Sequence, residues 1–204
     1  MRFLLSILFI VGITFISNES LNVPQYKPYS SKATTTKPNY ILVYKHNILI
    51  GDSQTPFIDE WSYNATLLNK VGSESSLWKG GQGLNWLKLA VTNYKLDTLI
   101  QSVTFCIGTN GRFSSKDDII GLVNITKERF PKAYLYVIQG SWGWGGNVNV
   151  TRTIVDSYYK RFNQLGVEVI EPPIGKCEPH NVNLPQYKEM AKNLDSLISK
   201  QKYK

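Results

Sequence analysis

The sequence predicts an α/β domain built around a mostly parallel sheet. Short runs of apolar, β-branched and aromatic residues, such as 102–107 and 133–138, are typical of buried strands. They alternate with longer segments whose apolar residues recur at helical spacing, and this alternation favours βαβ units. The right-handed crossovers of such units place the loops that follow the strands at one edge of the sheet, where α/β proteins bind ligands.

The predicted elements follow one another along most of the chain. Strands are predicted at 39–50, 75–78, 102–107, 133–138 and 167–170, and helices within 55–71 (after a loop), 84–94, 114–130, 150–165 and 184–198. Asp117 and Asp118 suit the start of the third helix, and Pro131 suits its end. Gly166 is a typical terminating residue for the fourth helix.

The N-terminal segment differs in composition from the rest of the chain. Arg2 is followed by the uncharged residues 3–16, a length that suits the apolar region of a signal peptide and is short for a membrane span. We therefore interpret 1–20 as a signal peptide or N-terminal anchor and expect a secreted or extracytoplasmic protein. Residues 21–39, rich in Ser, Thr, Pro and Lys, predict a flexible linker, and 40–204 the folded domain.

The chain is basic, with a formal net charge of +8, but its lysines and arginines are scattered. Such a surface attracts anionic polymers in general, including cell-wall material. The only dense basic cluster is the C-terminal tail with Lys200, Lys202 and Lys204. Because there is no basic stripe or nucleic-acid-binding motif, we do not expect a nucleic-acid partner.

Residues 47–55 carry the most informative stretch. The apolar strand residues 48–50 lead directly into Gly51, Asp52 and Ser53. One interpretation is an ordinary turn, since these residue types are common in turns. The other is a serine nucleophile at the end of a strand, which needs a base nearby. Of the two histidines, His46 precedes the strand, whereas His180 lies in the loop before the last helix and is the better candidate for that base.

Four predicted loops carry short motifs in chain order: GDSQT at 51–55, GGQG at 80–83, GTNG at 108–111 and CEPH at 177–180. Together they resemble the conserved blocks of the SGNH/GDSL hydrolases. The first three are similar to the first, second and third blocks, and CEPH stands where the fifth, DxxH, is expected. The resemblance implies a flavodoxin-like three-layer α/β/α sandwich with about five parallel strands. It also implies hydrolysis of esters without a metal or other cofactor.

The same resemblance assigns roles to individual residues. Ser53 would be the nucleophile and His180 the general base. The oxyanion donors would be the Ser53 N–H, the Gly83 N–H and the Asn110 side-chain amide, with Gly81 in place of Gly83 if the register slips. A glycine lets its N–H approach the substrate closely, and an Asn side chain donates where an Asp would repel the developing charge.

The sequence departs from the family pattern at two positions. Gly111 stands where the third block has Asp, and Cys177 stands where the acid of DxxH belongs. Three alternatives follow for an active enzyme: a Ser–His dyad whose His is oriented by a backbone carbonyl, Glu178 or Glu171 as the acid, or a Cys106–Cys177 disulfide as a positioning device. A catalytically inactive member of the family is the remaining alternative.

Aromatic residues near the predicted site suggest a carbohydrate substrate. Trp142 and Trp144 follow the fourth strand and, with Arg112 and Trp78, could form a platform for sugar binding. The expected function is an exported serine esterase that removes ester groups, acetyl above all, from a carbohydrate or cell-envelope polymer. The alternatives are a non-catalytic carbohydrate- or surface-binding module and a lipase or thioesterase that acts on acyl chains.

Overall fold

The computed structural model describes residues 46–67 and 77–201, with 66 and 67 described by their backbone alone. The predicted signal peptide or anchor at 1–20 and the predicted linker at 21–39 lie outside these residues. Among the helices described, none is both long and apolar enough to cross a membrane.

Within the described residues, five parallel strands form one sheet and five helices flank it. The strands are β1 (Asn47–Gly51), β2 (Thr66–Leu67), β3 (Ser102–Cys106), β4 (Tyr134–Ile138) and β5 (Glu168–Ile170). The helices are α1 (Thr55–Trp61), α2 (Leu84–Thr92), α3 (Ile119–Arg129), α4 (Arg152–Asn163) and α5 (Pro185–Gln201). The strand order is β2-β1-β3-β4-β5, the flavodoxin-like order of doubly wound sheets. The predicted fold class is confirmed.

Alternate strand residues face opposite sides of the sheet, and both sides are covered by helices. On β1, Ile48 and Ile50 belong to the apolar cluster shared with α2, α3 and α4, whereas Leu49 belongs to the cluster shared with α1 and α5. All three side chains are fully buried. Near-continuous apolar strands are what a parallel sheet between two helical layers requires.

The second strand lies elsewhere than predicted. The edge strand that pairs with β1 is Thr66–Leu67, and at Trp78 the structure has only an isolated bridge to Gly51. The predicted loop before the first helix is also absent, since α1 begins at Thr55 with Pro56 in its first turn. Asp195 of α5 explains the short helix: its carboxylate accepts hydrogen bonds from Ser62 Oγ (2.6 Å) and the Tyr63 backbone N–H (2.8 Å), which turns the chain towards β2.

Candidate active site

Ser53 lies at the point where the strand order of the sheet reverses. The chain continues from β1 outward to β2 on one side, and β3 leads to β4 on the other. The loops after β1 and β3, which carry Ser53 and Asn110, therefore diverge from adjacent strands and leave a crevice between them. His46 precedes β1, at the opposite edge of the sheet, which removes it as a candidate base.

Gly51 lets the two adjacent strands approach each other at their ends. A Cβ at this position would lie 1.8 Å from the carbonyl oxygen of Cys106, so only glycine fits without a backbone shift. The next residue, Asp52, donates its backbone N–H to that same carbonyl (2.7 Å). The turn that carries Ser53 is thereby fixed against the end of β3.

Ser53 and His180 are in hydrogen-bonding contact. The distance between Ser53 Oγ and His180 Nε2 is 3.1 Å. The other ring nitrogen of His180, Nδ1, contacts a carboxylate oxygen of Glu178, and the His180 backbone N–H donates to the same oxygen (3.2 Å). Serine, imidazole and carboxylate thus follow one another in the order that a hydrolytic triad requires.

Two other proposals for positioning His180 are wrong. Cys106 and Cys177 are both free thiols, so the disulfide is absent. Cys106 points into the apolar core, where burial first and then the nearby Asp52 charge raise the pKa of its thiol. Glu171 lies 3.7 Å from Arg152 (Oε1 to Nη2) and not beside His180. Glu178 is the acidic residue that contacts the imidazole.

The loop that carries His180 is anchored to the last helix. The carbonyl of Pro179 accepts a hydrogen bond from the buried Tyr187 hydroxyl (2.7 Å) in α5. Trp144 packs edge-on against the His180 ring, with 5.5 Å between ring centroids. Tyr187 thus fixes the backbone just before His180, and Trp144 lies against the imidazole ring itself.

A buried carboxylate, that of Asp52, joins the Ser53 turn to the loop after β3. It accepts hydrogen bonds from the Gln54 N–H (2.9 Å), the Thr109 N–H (3.0 Å) and the Thr109 hydroxyl (3.0 Å). Burial raises the pKa of Asp52 to about 6, although these hydrogen bonds act in the opposite direction. The residue that follows Thr109 is Asn110, so Asp52 also positions the predicted oxyanion donor.

Asn110 has an unused donor. Its side-chain Nδ2 is buried and has no hydrogen-bond partner among the described residues. The turn that carries it is closed by a hydrogen bond from the Gly111 N–H to the Gly108 carbonyl (3.1 Å), and both glycines have positive φ, 66° and 97°. A Cβ at Gly111 would lie 2.5 Å from the Asn147 side chain, so glycine fits this position better than the Asp of the third block that it resembles.

Within the second block, residues 80–83, the glycine that lies next to Ser53 is one that the sequence did not indicate as a donor. Residues 77–79 run alongside β1, with hydrogen bonds from the Gly51 N–H to the Leu77 carbonyl (3.0 Å) and from the Lys79 N–H to the Gly51 carbonyl (2.9 Å). This pairing brings Gly80 next to Ser53: a Cβ on Gly80 would lie 4.0 Å from Ser53 Cβ. Gly83 caps α2 and borders an open cavity.

The predicted substrate-binding residues occupy three different settings. Trp144 contacts His180, and its indole N–H donates to the Thr109 carbonyl (3.2 Å). Trp142 is part of the scaffold, because it packs on the core and a Cβ at Gly175 would lie 2.3 Å from its ring. Arg112 is exposed and borders the same cavity as Gly83.

No family model and no curated protein matches the chain. One similar solved structure is that of an active-site mutant of a family two carbohydrate esterase from Clostridium thermocellum, in complex with cellohexaose. The match has 16% sequence identity and a TM-score of 0.40, and it covers 76% of this chain and 63% of that chain.

Proposed function

We propose that the chain is a serine esterase of the SGNH type that acts through Ser53, His180 and Glu178. The observation that carries the proposal is the continuous contact from Ser53 Oγ through the imidazole of His180 to the Glu178 carboxylate. Glu178 supplies the negative charge that Cys177 cannot. This removes the main reason for expecting a catalytically inactive binding module.

In the proposed mechanism, Ser53 Oγ attacks the ester carbonyl while His180 Nε2 takes its proton. Glu178 stabilises the imidazolium and keeps Nε2 directed at Ser53. The tetrahedral oxyanion accepts hydrogen bonds from the Ser53 N–H, the Asn110 amide and a second-block glycine, either Gly83 as predicted or the nearer Gly80. His180 then protonates the leaving alcohol, and water releases the acid from the acyl-enzyme by the reverse sequence of proton transfers.

We further propose that the substrate is an ester, an acetyl ester above all, on a carbohydrate or cell-envelope polymer. The cavity beside Asn110 is lined mainly by polar residues and glycines, which suits a sugar better than a long acyl chain. Trp144 adds an aromatic edge next to the reacting groups. Export through residues 1–20 belongs to the same proposal, and N-terminal sequencing of the protein recovered outside the cytoplasm would test it.

A fluorophosphonate probe tests the proposed nucleophile directly. We expect the probe to label Ser53 in the intact protein and to leave Ser53→Ala unlabelled, with loss of p-nitrophenyl acetate and acetylated xylan hydrolysis in the variant. Ser157→Ala, an exposed serine on α4, is the matched control and should behave as the wild type. Equal turnover by the wild type and Ser53→Ala would refute the esterase proposal.

A further inference from the structure

We propose that the open cavity beside Asn110 binds a negatively charged group of the substrate, a carboxylate or a phosphate, through Arg112. The inference rests on the proposed esterase function and adds a substrate class to it: esters on acidic polysaccharides. It depends on three features of the described residues: the position of the cavity, the unpaired guanidinium of Arg112 and the contacts of the nearby Asp117 carboxylate.

The cavity lies between the start of α2 and the turn after β3. Its volume is about 550 Å³, enough for a sugar unit, and its lining includes Gly83, Trp86, Gly111, Arg112 and Asp117. Trp86 is half-buried and contributes aromatic surface to a lining that is otherwise largely polar. An aromatic surface beside a cation is a suitable combination for an acidic sugar, whose ring packs while its charge is paired.

Arg112 is close to the proposed oxyanion donor along the chain. One residue, Gly111, separates it from Asn110, so the two Cα atoms are at most about 7 Å apart. The intervening turn is closed by the hydrogen bond between Gly111 and Gly108. A group held by Arg112 would therefore belong to the sugar unit that carries the ester, or to the next one.

The guanidinium of Arg112 is available for a ligand. It forms no hydrogen bond, ion pair or ring contact with any residue in 46–67 or 77–201. Two other cations near the cavity are engaged: Lys88 pairs with Asp118, and Arg161 donates to the Ser114 carbonyl (3.0 Å). A free guanidinium offers a planar set of N–H donors that matches carboxylate or phosphate oxygens.

The acidic residue in the lining, Asp117, is already engaged. Its Oδ2 accepts a hydrogen bond from the Tyr158 hydroxyl (2.6 Å). Arg161, whose guanidinium donates to the Asp117 carbonyl, places a second cation nearby. Asp117 therefore opposes an incoming anion less than an unpaired carboxylate would, and the net charge of +8 also favours anionic substrates.

The decisive experiment compares sugars as inhibitors of p-nitrophenyl acetate hydrolysis. We expect galacturonic acid or galactose 6-phosphate to inhibit the wild type at least about tenfold more strongly than neutral galactose, the size of one charge-assisted hydrogen bond. Stronger inhibition by galacturonic acid identifies a carboxylate site, and stronger inhibition by the sugar phosphate a phosphate site. Equal inhibition by all three sugars would overturn the proposal.

Two variants assign the effect to Arg112. In Arg112→Gln the advantage of the charged sugars over galactose should disappear, whereas Arg112→Lys should retain part of it. Lys132→Gln removes the same charge from an exposed loop before β4, at the opposite edge of the sheet, and should leave the advantage intact. An undiminished advantage in Arg112→Gln would refute the assignment.

A binding measurement separates this inference from the esterase proposal. Calorimetry with Ser53→Ala and an acidic oligogalacturonate should show binding that weakens with added salt and is lost in Ser53→Ala/Arg112→Gln. Binding without any ester hydrolysis by the wild type would support the cavity and refute the esterase. Ester hydrolysis by the wild type without such binding would support the esterase proposal and refute the proposed anion site in the cavity.

Discussion

Glu178 contacts Nδ1 of His180 from only two residues earlier in the chain, and the same carboxylate oxygen accepts the His180 backbone N–H. A short local loop thus holds both the carboxylate and the imidazole of the proposed triad. We expect Glu178→Gln to lower kcat by about 10²-fold, less than the ~10⁴ lost with a fully buried triad acid, because Glu178 is exposed and solvent screens its charge. Steady-state kinetics with p-nitrophenyl acetate provides the measurement.

Glu171→Gln is the matched control for that change. It removes the same charge from a carboxylate that is paired with Arg152 and not with His180, so kcat should stay within about twofold of the wild type. An unchanged kcat in Glu178→Gln would mean that Ser53 and His180 work as a dyad.

Asn110→Ala should reduce kcat by ~10²–10³ with little change in KM, because the amide is proposed to bind the oxyanion and not the ground-state ester. Its Nδ2 has no partner in the described part of the chain, so the substitution should not lower Tm. Asn124→Ala, at an exposed position of α3, is the control for both measurements. A parallel loss of Tm and kcat would indicate a structural role instead.

Gly51→Ala should destabilise the fold by about 3 kcal/mol or more, because the added Cβ meets the Cys106 carbonyl oxygen at 1.8 Å and both groups belong to paired strands. Gly145→Ala is the comparison, since a Cβ there meets no atom within 4 Å. Urea denaturation followed by circular dichroism gives the two free energies of unfolding. Similar values for the two variants would show that β1 and β3 can separate at low cost.

Asp52 should make the protein less stable as the pH rises from about 4 to 6. Its pKa is raised from 3.8 to about 6 in the folded state, so the folded protein binds a proton that the unfolded chain has already released. The corresponding loss is ~3 kcal/mol at most, complete above the folded-state pKa. Urea denaturation at pH 4, 5, 6 and 7 should show this decline in the wild type.

Asp52→Asn isolates the contribution of that carboxyl group, because every other titrating group is unchanged. Its free energy of unfolding should depend less steeply on pH over the same interval, whatever its absolute value. The absolute value will also change, since an amide has one acceptor oxygen for the three donors that Asp52 binds. Parallel pH profiles for the two proteins would contradict the raised pKa.

The sheet was predictable from sequence because its central strands are continuous apolar runs bounded by turn residues. The edge was not. Thr66–Leu67 is too short to show a pattern, and its place depends on the Asp195 contacts with Ser62 and Tyr63, which are distant in sequence. Gly80 was missed for the same reason, since residues 77–79 join the end of β1 through backbone hydrogen bonds that no side-chain periodicity signals.

In the candidate site, too, some residues were predictable from the sequence and others were not. Ser53, Asn110 and His180 follow or precede recognisable elements, and their roles stay predictions whose geometry is now described. The residue that contacts the imidazole could not be chosen from spacing alone, because Glu178 and Cys177 are adjacent and the loop conformation decides which one faces the ring. The different settings of Trp142 and Trp144 could not be predicted either, because Trp142 is part of the scaffold through its packing against Gly175.

The buried carboxylate of Asp52 ties two of the proposed catalytic groups to each other through the backbone. It joins the turn that carries Ser53 to the turn that carries Asn110, so the proposed nucleophile and oxyanion donor keep their relative positions. Glu178 and His180 lie together on a separate short surface loop, which meets these turns through side-chain contacts of His180 and Trp144. We therefore expect that the proposed acid can occupy a different position on that loop while the turns with Ser53 and Asn110 stay in place.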